Sequence, residues 1–177
     1  MNLFFRLVFM FIQAFSSKER IGMLDEAKRS YRVWLTDQDM FAHMTNSRYL
    51  SFGDLGTLNY IIRSGFWSGL RKNGWFPVVC GQTMVISKML KTPQKFDVVT
   101  NVVGWDSTYV GLRHRFMRGD KQHAEVRVVA RFAGGKGGVS TETVLDAMPF
   151  HYDSPDFPPE FLELISTVEA ARPKKRT

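Results

Sequence analysis

The sequence predicts an α+β fold in which an antiparallel sheet curls around one long central helix. Three observations predict it. Apolar residues recur at steps of three and four over 47–64; four runs of period-two hydrophobicity follow from Val78 onward; and short turn signals separate those runs.

The 177 residues suit one domain, and 44% hydrophobic with 23% charged residues excludes disordered and collagen-like chains. A chain of this size buries about two-thirds of its unfolded surface and needs no covalent staples. The lone Cys80 excludes an internal disulfide and a multi-cysteine zinc site. No internal repeat is visible, which excludes a solenoid. Of the net charge of +7, residues 1–22 hold +2 and the tail 172–177 holds +4, so the body carries only +1. A nucleic-acid domain concentrates basic charge on its folded body, so nucleic acid is not expected as a partner.

Residues 1–22 read as an apolar N-terminal helix or anchor. The run LFFRLVFMFIQAF at 3–15 spans about 20 Å as a helix, short of the roughly 30 Å of a bilayer core. Arg6 lies inside the run and Ala14-Phe15-Ser16 is a weak cleavage site, so a signal peptide fits badly. Three readings stand: an interfacial anchor making membrane-surface contact, a helix docked on the domain, or a poor signal peptide. A cytoplasmic protein is expected, peripheral to a membrane under the first reading.

Residues 23–152 form the expected domain. Tyr31, Val33 and Leu35 alternate over 29–35 as a strand that the DQD cluster at 37–39 stops. Asn46 or Ser47 suits a helix cap, and Tyr49, Phe52, Leu55, Leu58 and Ile62 make 47–64 a helix that Gly65 ends. Gly53 and Gly56 each cost that helix roughly 1 kcal/mol against Ala, which implies close approach of another backbone. Strands are expected over 78–91, 96–106, 109–118 and 122–133. Val110, Leu112, His114 and Phe116 share one face of the third, and Ala124, Val126, Val128, Ala130 and Phe132 share one face of the fourth. Arg113, Arg115, Glu125, Arg127 and Arg131 fill the opposite faces, the pattern of a sheet covered on a single side. GGKGG at 134–138 reads as a loop, with Val139–Leu145 resuming the sheet. In the last section, 153–177, Pro159 opens a helix carrying Phe161, Leu164, Ile165 and Val168, followed by a basic tail.

The densest polar cluster joins the first strand to the central helix. A helix N-terminus offers unpaired amides and a positive dipole end to a developing oxyanion, and a carboxylate just upstream can serve as base or nucleophile. The string D-x-D-x-x-x-H-M-T-N-S-R-Y-L at 37–50 resembles the D-x-D-x-x-G-H-V/M-N-N-x-x-Y-L signature of hotdog-fold acyl-CoA thioesterases of the 4-hydroxybenzoyl-CoA type. Asp37, Asp39, His43, Asn46, Tyr49 and Leu50 match it.

The resemblance implies a hotdog fold over about 29–150 and hydrolysis of acyl-CoA or acyl carrier protein thioesters. It puts the attacking or water-activating acid on Asp39 and the carbonyl-polarising amide near Asn46. It places Asp37, Thr45 and Tyr49 at the substrate, implies no metal or cofactor, and implies an acyl site at a subunit interface. His43 is a second candidate for proton transfer. Asp54, two turns into the helix, either reaches the same pocket or fills a packing gap. Ala42 stands where the family carries Gly, and Thr45 where it carries the first Asn. Those departures and the apolar N-terminus motivate an alternative: a non-catalytic hotdog protein that binds acyl-CoA or lipid at a membrane surface. A sheet with free edges also predicts a homodimer or higher homo-oligomer. Cys80, between apolar neighbours, reads as packing, and Lys88, Lys91, Arg113 and Arg115 read as a charged outer face.

Overall fold

The structure is a computed structural model that describes residues 3–17, 19–135, 137–148, 150 and 152–172. Lys18 and the basic tail beyond Arg172 lie outside the described residues.

Helix α1 (Leu3–Ser16) precedes strand β1 (Ala27–Arg32). The central helix α2 (Asn46–Arg63) and a short α3 (Phe66–Asn73) follow. Four long strands come next: β2 (Phe76–Ile86), β3 (Lys95–Trp105), β4 (Val110–Arg118) and β5 (Lys121–Gly134). A short β6 (Gly137–Val139), α4 (Thr141–Asp146) and α5 (Pro159–Ala170) complete the chain. The sheet runs β1-β3-β4-β5-β2 with antiparallel pairing, and β6 adds to β5.

The alternation in the strands sets which face turns inward. Leu112 pairs with Val128, His114 with Val126 and Phe116 with Ala124, and all six are buried under α2. Register shifts at Val79/Gly81, Val102/Gly104 and Phe116/Met117 mark irregularities of the kind that bend strands and let a sheet curl round a helix. The two helix glycines have a definite cause. A Cβ on Gly53 would sit 3.2 Å from the His114 ring, and one on Gly56 would sit 2.5 Å from Thr100 Oγ1. What presses on the helix is therefore a pair of side chains, not the expected backbone.

Three expectations are corrected, and one unassigned segment takes a structure. The sheet is covered on both sides: Phe161, Leu164 and Ile165 of α5 form a second core with Val103, Tyr109 and Val129 on the outer face, and Cys80 packs beside them. Small residues make the seat, since a Cβ on Gly111 would meet Phe157 and Phe161 at 3.0 Å. Arg113 fixes its rim, donating to Glu160 at 2.8 Å with its guanidinium over the Phe161 ring. The first strand stops at Arg32, and Leu35–Asp37 is a 3-10 turn. The segment 66–73, given no element from sequence, is a helix that buries Phe66 and Leu70 between two glycines at positive φ. Val139–Leu145 does not continue as strand, because the Ser140 hydroxyl accepts from the Thr143 amide and starts α4.

Helix α1 lies against α2 with Arg6, Met10 and Ala14 buried, so the docked-helix reading describes its inner face. Its outer face leaves Phe4, Phe5, Phe9, Ile12 and Phe15 exposed. No helix among the described residues is long and apolar enough to cross a membrane.

Candidate active site

The loop between β1 and α2 folds back on itself as a narrow hairpin. Thr45 N donates to Asp37 O at 2.9 Å, Gln38 and Met44 form a bridge, and Asp39 N donates to His43 O at 3.0 Å. The tip closes with Ala42 N donating to Asp39 O, which requires φ of 59° at Ala42. Alanine is thus forced into the left-handed region, at a cost of about 1 kcal/mol.

Asp39 sits at this tip. Its Oδ1 accepts from the amides of Phe41 (2.9 Å) and His43 (3.2 Å), which fixes the carboxylate, while Oδ2 has no partner among the described residues. The side chain is exposed in the single chain, flanked by Met40 and Phe41, themselves 89% and 73% exposed. His43 is half-buried and contributes only backbone hydrogen bonds among the described residues.

The hairpin is tied down from below. Met44 N donates to Leu90 O at 2.8 Å, and Leu90 N donates to the Tyr49 hydroxyl at 3.0 Å. Tyr49 is fully buried against Phe116. Burial raises its phenol pKa, against the smaller opposing effect of the Leu90 amide. Tyr49 thereby supports the loop from beneath. Asp37 is enclosed likewise. Its fully buried carboxylate accepts from Arg6 Nη1 (3.0 Å), Arg6 Nη2 (2.6 Å) and the Trp34 amide (2.9 Å), with Arg48 Nε at 3.4 Å. Those contacts occupy the lone pairs a ligand would need.

The start of α2 is less closed. Thr45, not Asn46 or Ser47, is the N-cap, and its hydroxyl turns to Ser47 Oγ at 3.2 Å instead of to a backbone amide. The first turn of an 18-residue helix therefore has no side-chain cap, and Asn46 is exposed there. Asp54 lies about 12 Å farther along the axis. It is exposed by surface area and makes no hydrogen bond among the described residues, and partial desolvation by its neighbours pushes its carboxyl pKa upward.

The sequence of the thioesterase-like superfamily matches residues 33–165. The chain belongs to that superfamily. It is 25% identical over 155 residues to the THEM6 protein of Xenopus laevis, covering 87% of this chain and 74% of that one. Among solved structures it resembles the DHNA-CoA thioesterase of Staphylococcus aureus, with a TM-score of 0.58 at 15% identity over 82% of this chain and 91% of that one. It resembles the gentisyl-coenzyme A thioesterase BH1999 with a TM-score of 0.61 at 16% identity, over 68% and 99% of the two chains. At these identities the structural likeness establishes the hotdog fold.

In this thioesterase-like domain the structure brings Asp39, His43, Thr45 and Asn46 together on one hairpin and the helix start it feeds. Asp37, paired with Thr45 across the hairpin base, and Tyr49 are buried beneath them. A small, largely apolar cavity of about 40 Å³ lies elsewhere, lined by Tyr60, Ile61, Leu70, Val102, Leu112 and Phe132 among others, and no residue of the hairpin lines it. Sequence reasoning missed Arg6 and Arg48 as the cations that hold the hairpin. A lone arginine inside an apolar run was the available signal, because such a charge needs a buried partner. Among the described residues no cluster of three His, Cys, Asp or Glu side chains could hold a metal.

Proposed function

We propose that the protein is a thioester hydrolase acting on acyl-CoA or acyl carrier protein thioesters. The supporting observation is Asp39 itself: one carboxylate oxygen is held by two amides and the other is free, on a hairpin that leads into an uncapped helix start. Membership in the thioesterase-like superfamily supports the reaction class.

Asp39 serves as general base or as nucleophile. As base, it takes a proton from water while the water oxygen attacks the thioester carbonyl. As nucleophile, its free oxygen attacks directly and a mixed anhydride is then hydrolysed. Either way the carbonyl oxygen becomes an oxyanion, which the first amides of α2 near Asn46 stabilise. One such donor is worth about 3–4 kcal/mol of transition-state energy. Collapse expels the thiolate, and His43 is placed on the same hairpin to pass it a proton. Thr45 borders the reacting carbonyl, and Asp54 lies farther along the helix toward the acyl group.

A homodimer completes the site in this reading. Strand β2 is an outer strand of the sheet with Phe76, Val79 and Val85 exposed, an edge that a second copy could pair with. Sedimentation showing only a 20.4 kDa species at micromolar concentration would exclude that arrangement.

One observation favours a second reading, in which the protein binds acyl-CoA or lipid at a membrane surface without turnover: in the single chain Asp39 is exposed. A panel of acyl-CoA substrates assayed by free-thiol release separates the two. Thiol release that scales with enzyme supports hydrolysis, and saturable binding without release supports the binder.

A further inference from the structure

A groove of about 660 Å³ runs between α1 and β1, on the opposite edge of the sheet from β2. Every residue from Lys28 to Arg32 lines it, inner-facing and outer-facing alike, so the groove follows the strand's unpaired edge. Its lining contains five cationic side chains and no carboxylate. Arg6 is matched by Asp37 and Lys28 by Asp97 at 2.8 Å, which leaves Arg29, Arg32 and Lys95 without an acidic partner among the described residues. Arg29 donates to Gln13 Oε1 and Arg32 to Pro93 O, both uncharged acceptors.

Cations on an edge strand are common protection against edge-to-edge pairing, and alone they would need no ligand. Two further features are not explained that way. The Arg29 guanidinium lies over the Tyr31 ring and interacts with its hydroxyl, and neither Arg29 Nε nor Tyr31 Oη has a further hydrogen-bond partner among the described residues. The α1 wall of the groove is Arg6, Gln13 and Phe9, the last belonging to the exposed apolar face that also carries Phe4, Phe5 and Ile12; Trp34 lines the groove too. An amphipathic helix lying in a bilayer interface with a cationic groove at its margin meets lipid phosphates at the depth where those cations sit.

We propose that the α1–β1 groove binds the phosphate headgroup of an anionic phospholipid, with the outer face of α1 lying in the membrane interface. Arg29, Arg32 and Lys95 supply the charge, and Tyr31 holds the Arg29 guanidinium in the groove wall. The site is independent of thioester chemistry, so its failure leaves the hydrolase reading untouched.

The test is co-sedimentation of the full chain with phosphatidylcholine vesicles, with and without phosphatidylserine. The expected result is tighter binding to the phosphatidylserine vesicles. Arg32→Glu/Lys95→Glu should reduce that binding roughly 30-fold or more, at about fivefold for each basic residue lost. Arg71→Glu/Lys72→Glu, an equal charge change on the exposed side of α3, should reduce it far less. Thermal melting confirms that both variants fold. Equal losses in the two variants, or none in the first, would overturn the site. A third arm adds inorganic phosphate without vesicles. Stabilisation of the wild type there, with no vesicle binding, would assign the groove to free phosphate and overturn the lipid proposal.

Discussion

Arg6 of the N-terminal helix donates two hydrogen bonds to Asp37, 31 residues away at the base of the candidate catalytic hairpin. Both side chains are buried, and Arg48 and the Trp34 amide complete the carboxylate's environment. The apolar segment is thereby a structural part of the site. Removing one member of a buried pair leaves an uncompensated charge, at about 3–5 kcal/mol. Arg6→Met should therefore destabilise the fold by about 3 kcal/mol, near the low end because Arg48 remains. Asp37→Asn should cost a similar amount, and the double variant less than the sum of the two. Urea denaturation of the set measures this; additive costs would mean that the pair is not coupled.

His114 supplies a pH dependence. It is fully buried beneath α2, with Nδ1 2.9 Å from Thr100 Oγ1, and burial pushes its pKa down to about 4 from an ordinary 6.5. Between these values the unfolded chain binds the proton and the folded chain does not. Stability is therefore full above about pH 6.5 and falls as pH drops toward 4, by about 3 kcal/mol from this residue. Burial lowers the pKa of His123 as well, so the difference between wild type and His114→Asn isolates the effect. A variant with an unchanged slope between pH 4 and 6.5 would remove His114 as its source.

Two backbone positions predict opposite signs. Ala42→Gly relieves the positive φ at the hairpin tip and should stabilise by about 1 kcal/mol. Gly56→Ala gains about 1 kcal/mol of helix propensity, yet it drives a methyl to 2.5 Å from Thr100 Oγ1 and 3.3 Å from His114 Nδ1. Overpacking and the disturbed Thr100–His114 hydrogen bond should leave it destabilised by about 1–3 kcal/mol. Thermal denaturation reads both.

The inner face of the sheet was legible because it is local. Period two in Val110–Phe116 and Ala124–Phe132 identifies the residues that the structure buries. The ends of α2 differ from expectation by a single residue. The outer face was not legible, since the seat for α5 is assembled from Val103, Gly111 and Val129 on three strands, each unremarkable in its own strand. Helix α4 was hidden by the β-branched composition of Val139–Leu145, which the Ser140 cap overrides. In the site, the hairpin was visible through its motif. The hydrogen-bond partners of Asp37 and Tyr49 were not, because Arg6 and Leu90, which engage them, lie far along the chain.

The most direct measurement is kcat/KM for thioester hydrolysis by Asp39→Asn against the wild type, on the acyl-CoA that the wild type turns over fastest. The substitution keeps an oxygen for the Phe41 and His43 amides and removes the base. The account predicts a fall of at least about a hundredfold at unchanged melting temperature. Turnover within a few-fold of wild type would contradict it and take Asp39 out of the chemistry.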